Sequence, residues 1–112
     1  TTEIYTLSLH DALPILVLWK FHDNANGKSK AENLHIALGM IKMLKQSIPQ
    51  IKTLETGIND PAAPLANWDL ALVSTFNSFD DLNAYQVHPE HLKLVEFMKK
   101  VRDLRSAVDF EF

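Results

Sequence analysis

The chain has 112 residues, enough for one domain with a single core but few enough that self-association is a common source of extra burial. It contains no cysteine, which excludes disulfides, thiolate metal sites and a cysteine nucleophile, and its formal charge of −3 comes without the basic stripe that a nucleic-acid role would need. No apolar run approaches the ~20 residues that cross a bilayer, so a soluble, cytoplasmic protein with no nucleic-acid or membrane partner is expected.

Residues Thr1 to Ile15, TTEIYTLSLHDALPI, have neither a cap nor a periodicity that organises them, and Pro14 falls where a strand should begin. The string matches the translation of a widely used short-read sequencing adapter at all fifteen positions. Residues 1–15 are therefore expected to be an artefactual segment standing in place of the true start. They are not a signal peptide, since a basic n-region and a continuous apolar h-region are both missing. Setting the segment aside removes Glu3 and Asp11 and leaves 12 acids against 11 bases, a charge of −1.

Leu16 to Phe21 is a short apolar run of strand formers, ended by a loop over 22–28 that carries Asn24, Asn26 and Gly27. Ser29-Lys30-Ala31-Glu32 fits a capping box, and Leu34, Ala37, Leu38, Ile41, Leu44 and Ile48 then recur at helical spacing until Pro49. Ile51 to Asn59 reads as a second strand, in which Gly57 marks a bulge or a close backbone approach. The Pro61 and Pro64 segment is a loop, and Trp68 to Phe76 reads as a third strand with Leu70, Leu72 and Phe76 on one side and Ala71 and Val73 on the other. Ser78 caps a helix from Asp80 that is interrupted by Pro89, beyond which Leu94, Phe97, Met98, Val101 and Leu104 continue the helical pattern. Ala107 to Phe112 alternates as a last strand, with Val108, Phe110 and Phe112 on one face.

The order β-α-β-β-α-β predicts a ferredoxin-like α+β fold with a four-stranded antiparallel sheet and its helices on one face. The first and third strands are apolar on both sides, whereas helices cover only one. The second face, onto which Trp19 or its neighbours are expected to project, needs a cover, and a second copy of the sheet supplies it as a homodimer.

The densest chemistry lies in Tyr85-Gln86-Val87-His88-Pro89-Glu90-His91, where two imidazoles and a phenol surround one helix start. Together with Leu16-Val17-Leu18-Trp19-Lys20-Phe21, Leu54-Glu55-Thr56-Gly57-Ile58-Asn59 and Val108-Asp109-Phe110-Glu111-Phe112, this segment resembles the stress-responsive A/B barrel domain (Dabb) family over 16–112. The resemblance implies a ferredoxin-like protomer whose dimer closes two sheets into an α/β barrel. A similar plant polyketide cyclase closes a linear chain by an intramolecular aldol step without a cofactor. By that resemblance its catalytic His and Tyr fall on His91 and Tyr85. The first-strand His that members often carry falls on Ile15, inside the adapter-like segment.

Two readings of the motif compete. In the functional one, His91 removes a proton beside a carbonyl and Tyr85 donates to the developing oxyanion, while His88, Trp19 and Trp68 contact a small apolar ligand in the barrel; Trp68 alternatively plugs a barrel end. In the structural one, His88 caps the helix that starts at Pro89, and Tyr85 and His91 fill the seam between helix and sheet with their polar atoms satisfied locally. No cofactor is implied. A metal site is disfavoured because His88 and His91 supply two ligands and spacing marks no third. The expected function is binding of a small apolar molecule by a stress-associated dimer, with a cofactor-independent cyclase-like or isomerase-like enzyme as the alternative.

Overall fold

The computed structural model describes residues 13–109. β1 (Leu13–Phe21) is followed by a small hairpin, β2 (Asn24–Ala25) and β3 (Lys28–Ser29), and then by α1 (Lys30–Ser47) and β4 (Ile51–Ile58). β5 (Leu70–Phe76), α2 (Phe79–Gln86), α3 (Pro89–Val101) and β6 (Arg102–Asp109) complete the chain. The four long strands form one antiparallel sheet in the order β4-β5-β1-β6, the ferredoxin-like arrangement that the element order predicts.

The capping box forms as read: the Ser29 Oγ accepts from the Glu32 amide at 3.2 Å, and the Ser29 amide donates to Glu32 Oε1 at 3.2 Å. From that start α1 buries Leu34, Ala37, Ile41 and Leu44, and Ile48 at its C-cap is fully enclosed. The preceding loop is more ordered than its composition suggests. Asn26 (φ 54°) and Gly27 (φ 76°) both adopt left-handed backbone, the requirement of a two-residue hairpin turn, and the Asn33 amide nitrogen ties the hairpin to α1 by donating to the Ala25 carbonyl at 3.0 Å.

β1 begins at Leu13, three residues before the predicted Leu16, because Leu13, Pro14 and Ile15 continue the pairing with β5 opposite Phe76, Thr75 and Ser74. Its phase also differs from expectation. Ile15, Val17, Trp19 and Phe21 face the helices and are buried, so Trp19 lies under the helices, whereas Leu16 and Leu18 occupy the face that no helix covers. A strand apolar on both sides carries no phase signal, which is why alternation did not locate Trp19.

Gly57 marks neither a bulge nor a close approach: it pairs regularly with Ala71, and a Cβ there would meet nothing within 4 Å. The irregularities lie at Ile51–Thr53 and at Lys20–Phe21. At the second of these, Asp69 accepts the Phe21 amide at 2.8 Å, and the Lys30 ammonium lies 3.5 Å from the same carboxylate. The third strand starts at Leu70, so Trp68 precedes it. β6 starts at Arg102, directly after α3, which places Leu104 in the strand and not in the helix. Phe110 and Phe112 of the predicted alternation lie outside the described residues. Among those residues no helix is long and apolar enough to cross a membrane.

Candidate functional site

A cavity of about 460 Å³ lies between the helix-covered face of the sheet and α2–α3. Val17, Trp19 and Leu72 from the sheet and Leu82, Leu94 and Met98 from the helices supply its apolar walls. Tyr85 and His91 also line it.

The break at Pro89 positions this pair. Proline lacks an amide hydrogen, and its ring collides with the carbonyl four residues earlier, which is that of Tyr85. α2 therefore ends, and the Tyr85 carbonyl accepts instead from the amides of Val87 and His88. α3 restarts with His88 as N-cap, its Nδ1 accepting from the Glu90 amide at 3.1 Å. Tyr85 at the end of one helix and His91 at the start of the next are thereby brought face to face, ring centroids 4.2 Å apart and tilted by 39°. Tyr85 also packs against Phe76, at 5.0 Å between ring centroids.

The electrostatics give the two groups distinct states. Burial pushes the Tyr85 phenol up to about 12, against a smaller opposing influence of the Arg105 charge, so the hydroxyl stays protonated and able to donate at neutral pH. Burial likewise lowers the His91 pKa; the Gln86 carbonyl partly opposes this, and the nearby Arg105 charge adds to it. The ring is neutral at pH 7. Its Nδ1 lies 3.1 Å from the Gln86 carbonyl, which can only accept, so Nδ1 carries the hydrogen and Nε2 is left as the basic lone pair.

The structure brings together Tyr85, His91 and Trp19 of the predicted contacts, but on the helix-covered side of the sheet and not on the uncovered face that a barrel of two sheets would enclose. His88 and Trp68 lie outside the cavity lining. His88 is occupied by its capping bond, as the structural reading anticipates for that residue, and Trp68 sits half-buried ahead of β5. His22 and His35 are exposed. Among the described residues no three His, Asp or Glu side chains converge as a metal site would require. Sequence reasoning missed Ser74, Arg102 and Arg105, all of which line the cavity from β5 and β6.

The capping role of His88 has a measurable cost. His88→Ala should lower the unfolding free energy by ~1 kcal/mol in urea denaturation, and His88→Asn, which retains an acceptor at the N-cap, should recover most of it. Equal losses in both variants would argue that the ring contributes through packing.

Comparison with known proteins assigns the fold to a family. The model of the stress responsive A/B barrel domain matches residues 16–112. The chain belongs to this family, Dabb. The match begins at the residue after the adapter-like segment. No curated protein sequence matches this Dabb chain. Among solved structures, a dimeric protein of unknown function with a ferredoxin-like fold from Bacteroides fragilis is similar at 29% identity, with 93% of this chain and 99% of that one covered and a TM-score of 0.76. A dimeric ferredoxin-like protein of unknown function from Thermobifida fusca is 23% identical over 90% of this chain and 91% of its own, with a TM-score of 0.77. A hydroxynitrile lyase from Passiflora edulis is 17% identical over 92% and 94% of the two chains, with a TM-score of 0.72. The last two likenesses concern the fold alone.

Proposed function

We propose that this Dabb protein is a homodimer that binds a small, largely apolar molecule in the cavity between its sheet and α2–α3. The observation that carries the reading is the combination of a roughly 460 Å³ cavity, walled in part by apolar side chains, with a protonated phenol and a neutral imidazole on its lining. Such volumes suit small-molecule sites, in which a few polar groups fix orientation within apolar walls. Dimerisation is supported by the uncovered sheet face, where Val73, Leu104 and Val108 are exposed, and by the Bacteroides and Thermobifida relatives, which are described as dimeric. A stress-associated role follows only from the family's description. The same reading treats residues 1–15 as foreign to the domain, so that the side chain at position 15, which lines the cavity, is not the native one.

The tautomer of His91 favours a second reading, that of a cofactor-independent enzyme. Nε2 takes a proton from carbon beside a carbonyl, the C–H electron pair passes into the enolate, and the Tyr85 hydroxyl donates to the enolate oxygen. An aldol closure or an isomerisation follows from that enolate. That the fold can host an enzyme is illustrated by the Passiflora hydroxynitrile lyase.

A thermal-shift screen against aromatic polyketides and related carbonyl compounds tests both readings. A ligand present at ~100 times its dissociation constant should stabilise the protein by ~2.7 kcal/mol. Under the binding reading the shift shrinks in Trp19→Ala and persists in His91→Gln. Under the enzyme reading His91→Gln still binds but loses turnover by ~10²-fold or more. A flat response to every compound would defeat both.

A further inference from the structure

The cavity has a polar layout that an apolar ligand alone does not use. Two arginines, Arg102 and Arg105, line it, and among the described residues no Asp or Glu does. Neither forms an ion pair among the described residues. At the sheet floor the Ser74 hydroxyl is buried, with the residue 1% exposed, and has no hydrogen-bond partner among the described residues although it lines the same cavity. An unpaired buried hydroxyl costs free energy that a ligand atom would recover.

The sheet register places these groups far apart. Ser74 lies opposite Ile15, and Arg105 lies opposite Trp19, four residues along β1 and on the other side of that strand. At about 3.3 Å per residue and about 4.8 Å between strands, their backbones are separated by roughly 13 Å along the sheet and about 10 Å across it. The Arg105 charge lies close enough to bear on both Tyr85 and His91. Between the two ends lie Trp19, Leu72 and Val17.

We propose that the occupant of this cavity is an elongated apolar carboxylic acid, its carboxylate held by Arg105 with Arg102, its body against Trp19 and Leu72, and a polar atom at its far end hydrogen-bonded to Ser74. The inference rests on the cavity being a binding site and adds to it the chemical class of the ligand. Arginine suits the task because its planar fork pairs with both carboxylate oxygens. A compact acid such as benzoate reaches one end only and gains little from Ser74.

Isothermal titration with three probes, 6-(4-hydroxyphenyl)hexanoate, its uncharged carboxamide and benzoate, tests the proposal on the full chain. The long acid should bind on the order of tenfold to a hundredfold tighter than the amide, and benzoate weakly. Arg105→Gln should bring the acid down to the affinity of the amide while leaving the amide unchanged. Arg105 is exposed, so the substitution does not threaten the core, and matching circular dichroism spectra check this. Ser74→Ala should weaken both long probes several-fold and leave benzoate unaffected. Equal affinity of acid and amide, or an acid affinity that survives Arg105→Gln, overturns the assignment of a carboxylate while the cavity remains a binding site. If none of the probes binds, and the wider thermal-shift screen is also flat, both fall together.

Discussion

Phe76→Ala should lower the unfolding free energy by about 3–5 kcal/mol, a large share of the 5–15 kcal/mol that holds a domain of this size together. Phe76 is fully buried, ends β5 opposite Leu13 and Ile51, and supports Tyr85 at 5.0 Å between ring centroids. Truncation removes the transfer energy of the ring and leaves a void that three converging elements close only in part. Tyr85 then loses the wall that fixes its orientation, so ligand affinity should fall further than the loss of folded protein explains. Urea denaturation at fixed protein concentration reads the first effect as a lower midpoint with an unchanged slope. Titration well below the midpoint reads the second. Phe76→Leu, which retains much of the volume, should cost about 1.5 kcal/mol or less. A loss under ~1 kcal/mol in Phe76→Ala would contradict the packing described for the ring.

The second large effect concerns assembly. Val73, Leu16 and Val108 form one row across the uncovered face, with Leu16 paired to both of the others. Val73 is 38% exposed and Val108 53% exposed in the single chain. Light scattering should report about twice the chain mass of 12.7 kDa at micromolar concentration. Val73→Arg should return the protein to the mass of one chain, because a two-fold interface contains each substitution twice and must then bury two like charges. An increase in the dimer dissociation constant of about a hundredfold or more is expected. The protomer should stay folded, since the new side chain replaces one that already meets solvent. A wild-type protein of single mass, or a Val73→Arg protein that remains double, would remove this face from the dimer.

Much of the fold was legible because its punctuation is local. The Ser29–Glu32 box, the Ser78 cap and the break at Pro89 each depend on a few adjacent residues, and each appears where the sequence marks it. The hairpin carried a signal that went unused: Asn26-Gly27 is the pair that a turn with two left-handed residues selects. The start of β6 carried a misleading one. Leu104 follows Val101 at helical spacing, yet Arg102 to Ser106 is held as strand by backbone pairing with β1, which leaves no periodic trace in a charged edge strand. The phase of β1 was indeterminate because both of its faces are apolar.

Of the site, Tyr85 and His91 were readable because they crowd around one helix break. Arg102, Arg105 and Ser74 were not. They reach the cavity from two strands that are adjacent to β1 but distant in sequence, and only the register brings them together. The structural reading of the motif is right for His88, which caps α3, and incomplete for His91, whose one side-chain hydrogen bond among the described residues leaves the second ring nitrogen as an acceptor.

The alternation along β1 divides the labour of the sheet. Val17 and Trp19 touch the cavity, whereas Leu16 and Leu18, their immediate neighbours, touch only the opposite face. No side chain of this stretch has to satisfy both neighbours at once. Changes that reshape what the cavity accepts can therefore accumulate on odd positions, and changes that alter self-recognition on even ones, without either set constraining the other. A scaffold wired in this way can diversify its chemistry while its quaternary form stays constant.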